Sequence, residues 1–145
     1  MMSIRFQRAN FLVSNMTEAL RFYVDVLGME VAFKKEGREA GYSHIVFGIE
    51  VGVKVDFVAL STPTQPRVMA LTEVPGLARQ SEPRRSAIVL DVEDVDAVVA
   101  RAKDGGFQVF EEEKLVTHDG RVGREIGILD GDGNLAVVYH ITGRV

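Results

Sequence analysis

The chain has 145 residues, of which 46% are hydrophobic and 26% charged, and its formal net charge is −4. This size and composition are typical of one soluble globular domain, which we expect to span residues 1–145. The absence of cysteine excludes disulfides, thiolate metal sites and cysteine nucleophiles. The acidic balance argues against a nucleic-acid partner, and no apolar run approaches the roughly 20 residues of a membrane span. The opening residues MMSIRFQR lack the apolar core of a secretory signal, so a cytoplasmic location is expected.

The first half of the chain begins with a predicted strand at 4–13 and continues into a predicted helix. Asn15 and Glu18 have the spacing of a capping box, and Gly28 is placed to end the helix. After the helix, apolar alternation and short apolar runs predict strands near 29–36, 42–49 and 52–60. The apolar stripe that marks the helix consists of Met16, Ala19, Leu20, Tyr23, Val26 and Leu27.

The second half repeats this plan after a segment that contains all four prolines. We interpret that segment, residues 61–85, as a connector. A predicted strand at 86–92 leads into a helix that has Asp94 and Asp96 at its positive end and Gly105-Gly106 after its last turn. The helix stripe consists of Val95, Val98, Val99 and Ala102, and the strands that follow are predicted near 107–113, 122–129 and 134–141.

The repetition decides the predicted fold class, because two copies of one pattern indicate two copies of one structural unit. We predict an α+β fold in which two βαβββ modules form a pseudo-symmetric curved sheet around a cleft. Module one covers about 1–60, the connector about 61–85 and module two about 86–145.

The two faces of the first strand differ in chemistry. Ala9, Phe11 and Val13 are apolar, as are the residues 79 positions later, so this face should lie under the helix. The opposite face carries Arg8 and Asn10, which we therefore expect to line the enclosed space.

Three strings resemble a known family. VSNMTEALRFYVDVLGMEV (13–31) is similar to the first-module signature of the vicinal oxygen chelate superfamily, which includes glyoxalases, bleomycin-resistance proteins and extradiol dioxygenases. LDVEDVDAVVARAKDGG (90–106) and ILDGDGNLAVVYHI (128–141) resemble the second-module helix and the closing turn and strand. The resemblance implies a glyoxalase-like fold and a homodimer.

The resemblance also implies where a metal ion would bind. Enzymes of the family usually hold one divalent ion with residues from four strands, and these positions fall here on Arg8, Ala87, Val137 and Asp56. Arginine has no free lone pair, and alanine and valine have no donor atom, so one carboxylate alone cannot form a site. We therefore predict no metal and no cofactor. The chain then resembles the bleomycin-resistance branch, whose cleft binds a small organic ligand without transforming it.

Four side chains besides Asn10 are candidates for binding the ligand, and some of them also have a purely structural interpretation. Arg8 and Asp56 would either form an internal ion pair or leave Arg8 free to hold an anionic or carbonyl group of a ligand. His44, in the predicted strand YSHIVF, is either a ligand contact or a structural residue. Tyr139 shares the strand parity of Val137, so it is predicted to face inward and to stack on a planar ligand. Asn10 completes the set.

The DGDGN string begins like a calcium-binding loop, but it lacks the glycine and the glutamate that such a loop requires. Leu135 and Ile141 occupy those two positions, so a tight turn between strands is predicted instead.

Two other functions remain open. The first is a lyase, isomerase or dioxygenase that uses a divalent metal at a displaced site drawn from His44, Asp56, Glu125 or His118, or a metal-free enzyme with Glu125, His44 or Asp56 as its general base. The second is a scaffold whose cleft is filled by side chains.

Overall fold

The computed structural model describes residues 3–145, so Met1 and Met2 lie outside the described part of the chain. Two compact units are present. Within the described residues, unit 1 comprises 3–24 and Gly28–Ala78, and unit 2 comprises Asp25–Leu27 and Arg79–Val145. Within residues 3–145, no helix is long and apolar enough to cross a membrane.

In chain order the elements of the first half of the chain are β1 (Ala9–Val13), α1 (Met16–Leu20), a π-helical continuation of α1 (Arg21–Val26), β2 (Glu30–Arg38), α2 (Tyr42–Phe47), β3 (Val55–Ser61) and β4 (Met69–Glu73). The four strands form one sheet in unit 1 with the order β1-β4-β3-β2. The first and last strands of the unit, β1 and β4, pair in parallel, and the other neighbours pair antiparallel.

The start and end of α1 follow from local chemistry. The Asn15 side chain accepts a hydrogen bond from the backbone N–H of Glu18 at 2.9 Å, which satisfies one of the free donors at the helix start. Gly28 follows the helix with φ +87°, a conformation that glycine adopts without steric cost. The rings of Phe11 and Tyr23 lie 6.4 Å apart, so the helix covers the predicted face of β1.

The elements of unit 2 are β5 (Ala87–Asp91), α3 (Val95–Asp104), β6 (Gln108–Val109), β7 (Glu113–Val116), β8 (Arg121–Leu129) and β9 (Leu135–Arg144). They repeat the topology of unit 1, with the strand order β5-β9-β8-β6 and the short strand β7 beside β8. The α+β class and the two βαβββ modules are therefore confirmed, while the curved sheet around a cleft stays a prediction.

Helix α3 is also formed as predicted. The Asp94 side chain accepts a hydrogen bond from the backbone N–H of Ala97 at 3.0 Å and caps the helix. Val95, Val98 and Ala102 of the predicted stripe are buried. Burying such a stripe supplies most of the stability of a helix this short.

Two strand predictions are wrong. Residues 42–49, predicted as a strand, contain α2, which Gly41 precedes and Gly48 ends with φ +67°. Residues 61–85, predicted as a connector, contain β4, whose side chains Met69, Ala70 and Leu71 are buried. The parallel pairing of β4 with β1 is a long-range contact that local patterns do not reveal.

The turn between β8 and β9 is built around the buried carboxylate of Asp130. Its Oδ1 accepts the backbone N–H groups of Asp132 at 2.8 Å and Asn134 at 2.9 Å, and its Oδ2 accepts the Asn134 side-chain amide at 2.9 Å. The prediction of a tight turn is therefore confirmed.

The chain leading into β5 is fastened to the main chain of this turn. Arg84 donates its backbone N–H to the carbonyl of Gly133 at 3.0 Å and its side-chain Nε to the carbonyl of Asp132 at 2.6 Å. Arg79 Nε donates to the carbonyl of Gly131 at 3.1 Å. A Cβ on Gly133 would come within 2.6 Å of the Glu82 carbonyl, so the two segments are in close contact.

An ion cluster on the surface of unit 2 joins β8 to neighbouring elements. Arg124 contacts Glu112 through two hydrogen bonds, of 2.6 and 3.0 Å, and contacts Asp96 at 2.8 Å. The hydrogen bonds from Arg124 hold the pKa of Asp96 and of Glu112 below their ordinary values. The cluster therefore links α3 to the sheet edge when both carboxyl groups are ionised.

Candidate functional site: a basic pocket in unit 1

A pocket of about 200 Å³ lies in unit 1. No carboxylate side chain of the described chain lines it. Its lining combines three cationic side chains with uncharged ones, among them Arg8, Lys35, Arg38, Tyr42, Phe57 and Thr72.

Strand register explains why some of these residues meet. Lys35 of β2 is the register partner of Phe57 on β3, and Phe57 is the partner of Thr72 on β4. Register partners on neighbouring strands share one face of the sheet. These three side chains therefore form a row across unit 1, on the face opposite to Asp56.

A bulge in β2 brings Arg38 to the same pocket. Strict alternation would put residues 35 and 38 on opposite faces, but the register of β2 shifts between them. Gly37 lies in the bulge with φ +65°, and its N–H donates to the Asp56 carboxylate at 2.8 Å. Arg38 is then the partner of Val55, which also lines the pocket.

Arg8 and Asn10, predicted from the open face of the first strand, lie close to this pocket. Arg8 precedes β1 and lines the pocket directly. Asn10 lies on β1, and its Oδ1 accepts a hydrogen bond from the Thr72 hydroxyl at 3.1 Å. Asn10 thus contacts a residue of the pocket floor.

Asp56 is not on the last strand of its module, because β4 follows its strand, β3. It alternates with Phe57, so it points away from the pocket face. The predicted ion pair with Arg8 is not formed, and the carboxylate instead accepts the Gly37 N–H. Asp56 holds the bulge that presents Arg38.

His44 lies in α2 and is 3% exposed. Its Nε2 lies 2.8 Å from the Val53 carbonyl, which can only accept, so Nε2 carries the proton of this hydrogen bond. His44 Nδ1 is buried without a hydrogen-bond partner. The pocket lining includes the neighbours Tyr42 and Ser43 but not His44, so the side chain anchors α2 to the following loop.

The remaining candidates lie in unit 2. Tyr139 of β9 is half-buried and is the register partner of Glu125 on β8. His118 is exposed in the turn between β7 and β8. Ligand-binding roles for Arg8, Asn10, His44, Asp56 and Tyr139 stay predictions.

Of the pocket residues only Arg8 was a predicted candidate, and the two other cations, Lys35 and Arg38, were missed. The string KKEGR carries the signal, since a glycine inside a strand of charged residues is typical of a bulge. Alternation alone would have identified Lys35 but not Arg38.

Comparison with known proteins identifies the family. The family model described as the glyoxalase/bleomycin resistance protein/dioxygenase superfamily matches residues 5–138. The chain belongs to this superfamily. A search of curated proteins finds no match to this chain.

Solved structures of the superfamily share the fold. A glyoxalase family protein from Bacillus cereus aligns with a TM-score of 0.75 at 19% identity, covering 98% of this chain and 97% of that one. A fosfomycin resistance protein from Listeria monocytogenes aligns with a TM-score of 0.61 at 17% identity, covering 97% and 96%. An antibiotic-binding protein from a Streptomyces species aligns with a TM-score of 0.61 at 21% identity, covering 98% and 99%.

The family resemblance implies one metal-ligand position on the first and on the last strand of each module, and in this chain none of these four positions carries a donor side chain. Strand pairing identifies the position in module one that corresponds to Val137. Val137 pairs with Val89 of β5, and residue 89 corresponds to Asn10 of β1 because the two modules are 79 residues apart (89 − 79 = 10). Asn10 pairs with Ala70 of β4, so Ala70, and not Asp56, is the counterpart of Val137.

The four positions expected to carry metal ligands are therefore occupied by Arg8, Ala70, Ala87 and Val137, which offer no lone pair to a metal. Elsewhere in residues 3–145, no three His, Asp or Glu side chains are grouped so that they could hold an ion. The residues present do not fit the metal centre of the family.

Proposed function

We propose that this chain is a small-molecule binding protein that holds an organic compound without a divalent metal ion. Two observations carry the proposal: an arginine and three aliphatic side chains replace the metal donors, and unit 1 contains a pocket of about 200 Å³. Arg8 takes part in both features, since it occupies a ligand position of the family and lines the pocket.

Two structural neighbours support this choice of function. The fosfomycin resistance protein and the antibiotic-binding protein have the same fold and are both connected with small organic molecules. Sequestration of an organic compound is therefore the activity we propose, and its pocket is the one lined by Arg8, Phe57 and Thr72.

The test is to purify the protein without chelator and to measure its metal content by inductively coupled plasma mass spectrometry. We expect well below one divalent ion per chain. Native mass spectrometry of the same sample, or a ligand screen, should find an organic molecule whose binding is unchanged by EDTA or by added Zn²⁺, Mn²⁺ or Ni²⁺. About one tightly held ion per chain, with binding or turnover that EDTA abolishes, would refute the proposal.

We further propose that the protein is a homodimer located in the cytoplasm. The family resemblance implies a homodimer, for which light scattering should give twice the chain mass of 16.0 kDa. A cytoplasmic location stays a prediction and is checked by fractionation of the source cells.

A further inference from the structure

We propose that the pocket of unit 1 selects compact organic anions, with Arg8, Lys35 and Arg38 holding the acidic group. This inference rests on the proposed function and adds to it the chemical class of the ligand. It starts from the charge of the lining, which has three cations and, within the described residues, no anion.

The three cations are not neutralised by the protein itself. Among residues 3–145, Arg8, Lys35 and Arg38 form no ion pair with a carboxylate, although Asp56 lies on the strand next to β2 and Glu39 follows Arg38 directly. Asp56 points to the other face and accepts the Gly37 N–H at 2.8 Å. Glu39 lies 3.9 Å from Lys54. A concave surface that carries charge of one sign concentrates ions of the opposite sign.

The cations differ in what they offer a ligand. Arg8 and Arg38 carry planar guanidinium groups that can donate two parallel hydrogen bonds to a carboxylate or phosphonate. Lys35 contributes a point charge, and its Nζ lies 6.0 Å from the centre of the Phe33 ring. A tetrahedral or planar oxyanion satisfies such a set better than a neutral amide does.

The uncharged lining limits the rest of the ligand. Phe57, Val55 and Tyr42 provide apolar surface, and Thr72 is 1% exposed with its hydroxyl directed to Asn10 at 3.1 Å. A volume of about 200 Å³ is below the roughly 300–1,000 Å³ of pockets for drug-sized ligands. It exceeds the roughly 150 Å³ cavity that holds benzene in another protein. A single aromatic ring with one acidic group is therefore the expected size.

The backbone of β2 is arranged to place two of the cations together. Without the bulge, Lys35 and Arg38 would face opposite sides of the sheet, because their positions differ by three. The Asp56 carboxylate stabilises the bulge through Gly37, so an acidic residue outside the pocket positions a basic one inside it. Asp56 is in this sense a positioning residue.

The experiment titrates the full chain with four probes of one size: benzoate, phenylphosphonate, benzamide and benzylamine. Binding is measured by calorimetry and by amide chemical shifts. We expect the two anions to bind at least tenfold more tightly than benzamide, since a hydrogen bond to a charged group is worth roughly tenfold or more. Benzylamine, a cation at neutral pH, should not bind. Higher salt should weaken the binding of the anions.

Substitutions inside and outside the pocket distinguish binding in the pocket from attraction by the net charge of the protein. Lys35→Gln should weaken benzoate binding about tenfold, and Arg38→Gln about as much. Lys34→Gln removes the same charge from the neighbouring position on β2, whose side chain faces away from the pocket, and should change the affinity less than twofold. All three side chains are exposed, so the variants should fold.

Each other outcome overturns the inference. Equal affinity for benzamide and benzoate would refute anion selection and leave the proposed metal-free binding standing. An equal loss of benzoate affinity in Lys34→Gln and Lys35→Gln would show that the anion is attracted by the overall charge and not held in the pocket. The absence of saturable binding for all four probes, or shift changes confined to unit 2 instead of Gly41 and Thr72, would refute the pocket assignment. Metal content, measured separately, decides the proposed function.

Discussion

Replacing Asp130 by alanine should destabilise the protein strongly, because one buried carboxylate organises the whole β8–β9 turn. The side chain is 5% exposed and accepts two backbone N–H groups and one side-chain amide at 2.8 to 2.9 Å. A net contribution of about 1 kcal/mol per hydrogen bond, with some cost for leaving the donors buried and unpaired, gives a loss of about 3 to 4 kcal/mol. Typical stabilities are about 5 to 15 kcal/mol, so the loss is a large share of the total.

Urea unfolding followed by circular dichroism measures this loss. With a denaturant slope of about 2 kcal/mol per molar, the midpoint should fall by about 1.5 to 2 M in Asp130→Ala. Asp130→Asn keeps the shape and one acceptor oxygen, so its midpoint should fall by about half as much. A loss below about 1 kcal/mol in Asp130→Ala would contradict the role assigned to the carboxylate. A midpoint of the parent chain that rises with calcium would contradict the assignment of this segment as a turn.

Three further changes test other parts of the structure. Gly133→Ala should lower the free energy of unfolding in urea by at least about 2 kcal/mol more than Gly120→Ala does. Both glycines have φ near +82°, but only a Cβ on residue 133 would lie within 2.6 Å of a backbone atom. Equal losses in the two variants would refute this close contact. Arg124→Gln should be less stable than the parent at pH 7, because Arg124 lowers the pKa of two carboxyl groups and this stabilisation is present above their ordinary pKa values. The difference should shrink as the pH falls below 4.5 and the carboxyl groups take up protons, and a difference independent of pH would exclude the ion cluster as its source. Asp56→Ala should weaken benzoate binding about fivefold through loss of the hydrogen bond to Gly37, with Asp56→Asn closer to the parent; unchanged affinity in both would show that the bulge does not depend on this carboxylate.

The two long helices could be predicted because their signals are local. Asn15 and Asp94 cap helices within three residues of themselves, and the glycine after each helix ends it. The apolar stripes then identify the buried faces. Repetition of this pattern was sufficient to predict two βαβββ modules.

Helix α2 was predicted as a strand because YSHIVF is rich in residues that favour strands. Such preference depends on context, and six residues are too few for a helical period to show. In the structure the helix is held to the loop that follows it by the hydrogen bond from buried His44 to the Val53 carbonyl, a contact that the strand propensities of the six residues do not reveal. The glycines at 41 and 48 were the available signal for a short helix.

The candidate site could be predicted only in part, for a similar reason. Arg8 and Asn10 follow from the parity of a regular strand. Arg38 does not, because the bulge at Gly37 changes which face later residues occupy. Asp56 was assigned to a last strand because β4 was hidden in the proline-bearing segment, and β4 is recognisable only through its pairing with β1 and β3.

The fastening of Arg79 and Arg84 to the β8–β9 turn has an evolutionary consequence. Their side-chain donors end on main-chain oxygen atoms of Gly131 and Asp132, which every amino acid possesses. Drift in the side chains of the turn therefore leaves these oxygen acceptors in place as long as the backbone keeps its course. Substitution of Arg79 or Arg84 would instead remove a hydrogen bond to the turn, since no shorter side chain reaches the same carbonyl. We therefore expect relatives with divergent turn sequences to keep a long basic side chain at positions 79 and 84 wherever these hydrogen bonds to the turn are kept.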